Sequence, residues 1–167
     1  ARSKLGRPGR RLDIVDLLNG LNDDGLIASE TAVTLSRDAN LSTADRHPLQ
    51  MIAERKLRAL REPHALLDLD FLCQWLAAAL GLEYRRIDPL KVDFSKIGDV
   101  MSGTYASRHR ILPLEVNTGE VVIATAQPFD TAWVEEISRT LRRDVRIVLS
   151  NPVELQRYLA EFFSLAR

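Results

Sequence analysis

The sequence predicts an α+β protein, α/β-type in its second part, with a small N-terminal helical bundle followed by a small open sheet of about 3–4 strands and helices packed on it. Three observations predict it. Apolar residues before residue 62 recur at helical spacing. Residues 110–130 hold two β-rich runs around a glycine-containing turn. After residue 66, helix and strand signals alternate. The implied organisation is a flexible basic tail over 1–11, a helical subdomain over 12–62 and an α/β domain over 66–167, joined by the short polar run Arg61-Glu62-Pro63-His64.

Ile14, Leu17, Leu18 and Leu21 form one helical stripe that Asp23-Asp24-Gly25 terminates. A second short helix begins at Ser29. The polar run Asn40–His47 ends at Pro48, which suits the first turn of a helix carrying Leu49, Ile52, Ala53 and Leu60 on one side. So small a bundle has little core to set against chain entropy and needs a neighbour to pack on.

In the second part, Asp70 is placed to cap a helix bearing Phe71, Leu72, Trp75, Leu76 and Ala79, with Gly81 as its stop. A strand is expected near Tyr84–Ile87, then helix around Val100–Arg108. Ile111–Val116 and Glu120–Ala126 flank Asn117-Thr118-Gly119, where Gly119 is expected to take the positive φ of a bulged hairpin turn. Pro113 has no ladder donor, so its strand belongs at an edge or beside a bulge. Pro128-Phe129-Asp130 ends the hairpin and offers Asp130 as a cap for a helix over Thr131–Leu141. Val145, Ile147 and Leu149 alternate on one strand face. Asn151-Pro152-Val153-Glu154 has the form of a capping box before a final helix over Pro152–Ser164.

Composition narrows the function classes. With 46% apolar residues in 167, the chain can hold one ordinary core or two small ones. No apolar run approaches the roughly 20 residues of a membrane helix, and no signal-peptide stretch opens the sequence. Cys73 stands alone in an apolar helix pattern and reads as a packing residue. Arg2, Lys4, Arg7, Arg10 and Arg11 make residues 1–11 basic, and the remainder, with 18 basic and 23 acidic residues, carries a net charge of −5. That balance argues against nucleic-acid binding by the folded part.

Catalytic patterns are missing from the sequence. Lys96-Ile97-Gly98 has the wrong order for a phosphate-cradling loop, which needs glycines leading into Gly-Lys-Ser/Thr. His47, His64 and His109 have no partner at metal-ligand spacing, and no serine stands in a nucleophile elbow.

Arg110, Leu112, Pro113, Leu114, Gly119, Val122, Ala124, Ala126, Pro128 and Asp130 together resemble the N-terminal domain of the traffic ATPases of type II secretion and type IV pilus assembly. The likeness extends weakly from about Leu66 to Phe163 through Leu80-Gly81-Leu82 and Ile87-Asp88-Pro89; Gln127 departs from it, standing where the family has an acid. The resemblance implies a non-catalytic docking and regulatory domain, cytoplasmic and peripheral to the bacterial inner membrane. Its implied partners are an inner-membrane platform protein and the ATPase motor of the same chain. ATP and magnesium would belong to that motor, leaving no cofactor here. The exposed candidates for docking are Arg85, Arg86, Arg108, Arg110, Arg142 and Arg143.

Some members of that family bind cyclic di-GMP through a motif of the form Arg-Leu-Gly, two residues, Leu, three residues, Gly. Setting its last glycine at Gly25 and its leucine at Leu21 puts Asp16, Leu17 and Leu18 at the first three positions. A carboxylate in place of the cation and a leucine in place of the glycine argue against binding, although Arg11 and residues 14–25 remain the region to test. A regulatory module attached to a membrane glycosyltransferase is the other parent that such a domain fits.

Overall fold

A computed structural model describes residues 5–38 and 46–165. Arg2 and Lys4 of the expected tail, and positions 40–45 of the polar run, lie outside the described residues. The chain divides into two compact units, Ala1–Leu80 and Gly81–Arg167. The division falls after the helix of Trp75 rather than near residues 62–66, so that helix belongs with the first unit.

In the first unit, α1 (Ile14–Asp23) buries Ile14, Leu17, Leu18 and Leu21 as its spacing requires. Gly25, at φ +72°, ends it. The Gly25 amide donates to Asn22 O at 2.9 Å and the Leu26 amide to Leu21 O at 2.9 Å, so the last carbonyls are satisfied through a left-handed glycine. Next come α2 (Ser29–Ser36) and α3 (Pro48–Ala53), the latter with proline in its first turn. Leu60 lies beyond α3 and is exposed, not on the apolar side of that helix, because the chain turns out of the helix after Ala53. An antiparallel bridge, Arg58 with Leu66, closes a small loop before α4 (Leu69–Leu80).

The cap of α4 is Asp68, whose Oδ1 accepts the Phe71 amide at 2.8 Å. Asp70 instead accepts from Gln74 Nε2 at 2.7 Å along the helix surface. Cys73, Leu72 and Leu76 are fully buried. Leu5 is buried too, against Gly20, so the polypeptide joins this core well before residue 12.

In the second unit, the expected helix around Val100–Arg108 is two helices, α5 (Phe94–Val100) and α6 (Gly103–His109). Met101 is fully extended between them, and Ser102 accepts the Tyr105 amide at 3.1 Å to start a new helix. The sheet has the order β1 (Ile111–Val116), β2 (Glu120–Thr125), β3 (Asp144–Leu149). β1 and β2 are antiparallel, with a register shift between Pro113 and Glu115. Pro113 therefore occupies both an edge strand and the flank of a bulge.

The extra residue sits in β1 and not at the turn. Gly119 does not adopt positive φ; the loop closes through the Asn117 amide donating to Glu120 O at 2.8 Å. After β2, α7 (Ala132–Leu141) crosses to β3, which runs parallel to β2 in continuous register. The N-cap of α7 is Thr131, with no side-chain capping bond, while Asp130 O accepts from Trp133 Nε1 at 3.1 Å. The final helix is α8 (Pro152–Leu165). Ile111, Leu112, Val121–Ala124, Trp133, Ile137, Val148, Leu155 and Phe162 form the core.

The segment at Tyr84 touches the sheet once, by a parallel bridge to Leu149, and does not extend into a fourth strand. Its departure has a cause. The Ile87 amide donates to Glu154 Oε1 at 2.6 Å, and Asp88 then accepts the Leu90 and Lys91 amides at 3.0 Å each, turning the chain away. Glu154 therefore does not close a reciprocal capping box. Asn151 Oδ1 alone caps α8, accepting from the Val153 amide at 2.9 Å.

Candidate docking surface

The six arginines fall into four separate environments of the second unit. Arg85 is the centre of a charge lattice across the sheet. Its Nε donates to Glu83 Oε2 at 2.6 Å, and its Nη1 lies 3.0 Å from Glu115 Oε1. Arg146 continues the lattice, with Nη1 3.0 Å from Glu83 Oε1 and Nε 3.1 Å from Glu120 Oε1. Glu115 and Arg146 are both register partners of Val122, which is wholly buried, so the lattice stands over the middle of β2. The Arg85 hydrogen bond holds the Glu83 carboxyl below the usual range for a carboxylate, against the opposing effect of burial. Glu83 in turn keeps the Arg146 guanidinium more firmly protonated.

Arg86 pairs with Glu154 at 3.0 Å. Arg85 and Arg86 are thus committed within the fold; Glu83 is two positions from Arg85, but Glu115 and Glu154 lie 30 and 68 positions from their arginines, which sequence spacing did not foretell.

Arg108 and Arg110 end α6, and Arg142 and Arg143 follow α7. Among the described residues, none of the four has a carboxylate partner, and Arg108, Arg110 and Arg142 are exposed. Arg110 and Arg142 adopt φ +54°. Both occupy the left-handed position that ends a helix, where glycine is the unstrained choice and any other residue costs about 1 kcal/mol. Arg110 leads directly into β1, and Arg142 leads into β3 through Arg143. Ile111 lies opposite Thr125 and Asp144 opposite Glu120, so the two arginine pairs sit at opposite ends of β2, about 17 Å apart at strand rise. They do not make one patch.

A neighbouring cluster holds Tyr105, whose Oη donates to Glu136 at 3.2 Å and whose ring centroid is 4.4 Å from that of His109. His109 is therefore half-buried against an aromatic ring. Burial, then Glu136, pushes the Tyr105 phenol up.

Beside α7, an open groove of about 560 Å³ is lined by Thr131, Val134, Glu135, Ser138, Arg139 and Ile147. The sequence placed Val145, Ile147 and Leu149 on a single apolar face, yet Val145 and Ile147 are only half-buried because β3 lies at the sheet edge. The groove was not foreseen; the alternation of β3 beside the amphipathic pattern of α7 was its available signal.

Residues 80–167 match the MshEN domain family. The chain belongs to that family. The MshEN match begins at the division between the two units and covers the whole of the second. The chain is 39% identical over 122 residues to the type IV pilus assembly ATPase TfpB of Acinetobacter baylyi, covering 72% of this chain and 21% of that protein. It therefore spans about a fifth of the length of this relative. A structure of MshE with cdg superposes with a TM-score of 0.60 at 18% identity, covering 91% of this chain and 99% of that one. The N-terminal domain of XpsE superposes with a TM-score of 0.53 at 12% identity, covering 86% and 91%. The MshEN domain here is thus related in sequence to a domain of a type IV pilus assembly ATPase, and its fold is the one that the MshE and XpsE structures share. Among the described residues, no helix is long and apolar enough to cross a membrane.

Proposed function

We propose that this MshEN-family chain docks an assembly ATPase onto the cytoplasmic part of an inner-membrane platform protein, with the ATPase motor, its ATP and its magnesium supplied elsewhere in the same polypeptide. The observation that carries the reading is the pair Arg110 and Arg142. Each holds a left-handed backbone conformation that glycine would hold more cheaply, and each presents a cation without a carboxylate partner among the described residues. A costly residue kept at an exposed helix end supports the reading that its cation serves a contact outside the fold. Arg108 and Arg143 flank them and share that role, whereas Arg85 and Arg86 are reassigned to holding the fold. Peripheral attachment to the inner membrane follows from docking, with no spanning helix required.

The test is a pull-down of the purified chain with the platform protein's cytoplasmic domain. Binding that weakens when Arg110→Glu or Arg142→Glu is introduced, but not when Arg86→Glu is, supports the proposal. No capture by the unaltered chain would remove it.

A second reading, cyclic di-GMP sensing, draws its support from the shared fold with MshE in its cdg-bound structure. Against it stand Asp16 and Leu18 at positions that want a cation and a glycine. Calorimetric titration with cyclic di-GMP, with ATP as control, separates the two readings. Saturable binding lost on changing Arg11 or residues 14–25 would favour the sensor.

A further inference from the structure

The outer edge of β3 is paired only at its C-terminal end. Asp144 and Ser150 send their amides toward β2, to Gly119 O and Thr125 O, at 3.0 Å each. Leu149 faces the other way, donating to Glu83 O at 2.9 Å and accepting from the Arg85 amide at 2.9 Å. Alternation along a strand then fixes the rest: Ile147 and Val145, two and four residues before Leu149, also aim their amide and carbonyl outward. Among the described residues no strand meets them in the sheet order β1-β2-β3, and the segment at Tyr84 covers the edge only at Leu149.

The surroundings of that open stretch select its occupant. Ile147 and Val134 give the adjoining groove an apolar floor, and Ser138 and Thr131 line it with hydroxyls. Arg139 lies in the last turn of α7, and Arg142 and Arg143 follow it in the turn before β3. Of these, only Arg139 has a carboxylate partner among the described residues, Glu135 at 3.8 Å.

We propose that an extended, acidic-and-apolar peptide segment of a partner protein adds as a short strand on the β3 edge, bonding to the main chain at Val145 and Ile147. One apolar side chain seats on Ile147 and Val134, and an acidic side chain meets Arg142 and Arg143. Backbone pairing supplies affinity, and the groove with its arginines supplies selection. The assignment deepens the docking reading by naming where and how contact is made.

The probe is acetyl-Glu-Val-Asp-Val-Glu-Val-amide, titrated into the whole chain and followed by amide hydrogen exchange and NMR chemical shifts. The expected result is slowed exchange and shifted resonances at Val145 and Ile147, with little change when valines are kept but acids become lysines. Ile147→Pro removes one outward donor without touching the β2 ladder and is expected to weaken binding about tenfold. The exchange readout on the unaltered chain decides the matter even if that variant fails to fold. Exchange at Val145 and Ile147 unchanged at saturating peptide, or equal binding of the lysine peptide, overturns the proposal. So does concentration-dependent protection of these amides without peptide, which would assign the edge to a second copy. Capture of the platform domain with unaltered exchange at the edge would overturn the strand addition while leaving docking intact.

Discussion

Glu154 reaches from the first turn of α8 to accept the Ile87 amide at 2.6 Å while its other oxygen pairs with Arg86 at 3.0 Å. A single carboxylate thereby fixes where the segment after Tyr84 leaves the sheet. Ile87 is buried, and Glu154 is the acceptor its amide uses. Glu154→Ala should cost about 1–3 kcal/mol, the usual penalty of an orphaned buried donor. Faster hydrogen exchange at Ile87, with a lower unfolding midpoint, is the expected signature; unchanged exchange there would refute the assignment.

Gly20 lies in the middle of α1, where a Cβ would overlap Leu5 Cδ2 and stand 3.2 Å from the Trp75 ring. The indole is bulky and tethered, with Nε1 donating to Asp24 Oδ2 at 2.7 Å, so it yields poorly. Gly20→Ala is expected to destabilise the first unit by about 1–3 kcal/mol despite alanine's better helix propensity. Chemical denaturation measures it, and a gain in stability would contradict this packing.

Arg110→Gly and Arg142→Gly should act in the opposite direction. Each relieves a left-handed conformation, at φ +54°, and is expected to add about 1 kcal/mol of stability. If docking uses these cations, the same variants capture the platform domain less well. Thermal melts and pull-downs on the same preparations read both effects.

The lattice around Glu83 makes a modest pH-dependent contribution. Arg85 lowers the Glu83 pKa, so the folded state binds that proton less readily than the unfolded one. The contribution is present above the unfolded carboxylate's pKa of about 4.3 and fades as pH falls through the lower folded value. Because Glu83 is largely solvated, its worth is under about 1 kcal/mol and shrinks with salt. Glu83→Gln should flatten the stability profile below about pH 5 in low salt. A profile indistinguishable from the unaltered chain's would refute the coupling.

Cys73 is fully buried and should resist a thiol reagent until the first unit unfolds. Labelling kinetics against denaturant would report that unit's opening, and rapid labelling in native buffer would contradict the burial.

Local patterns were legible in the sequence because local chemistry determines them. The stripe at Ile14–Leu21, the stop at Gly25, the hairpin strands, the bulge beside Pro113 and the Asn151 cap each depend on residues a few positions apart. Errors arose where two candidates competed or where distance mattered. Asp68 and Asp70 are both good caps, and only the actual first turn chooses between them. Glu154 has the position of a capping-box acid, but the Ile87 amide, 67 positions earlier, takes it. The candidate site was less legible than the fold. Spacing identifies exposed arginines, but it cannot tell that Arg85 is held by Glu83 and Glu115 while Arg142 is not. Nor does any pattern announce an arginine where the backbone would suit glycine.

The chain has two tryptophans, and the fold allots one to each unit: Trp75 tied to Asp24 in the first, Trp133 almost wholly buried in the second. Nature has in effect labelled each half with its own fluorophore. Replacing either by phenylalanine leaves a single emitter, so partner capture, peptide addition or nucleotide binding can be attributed to one half from intrinsic emission alone, without attaching a dye.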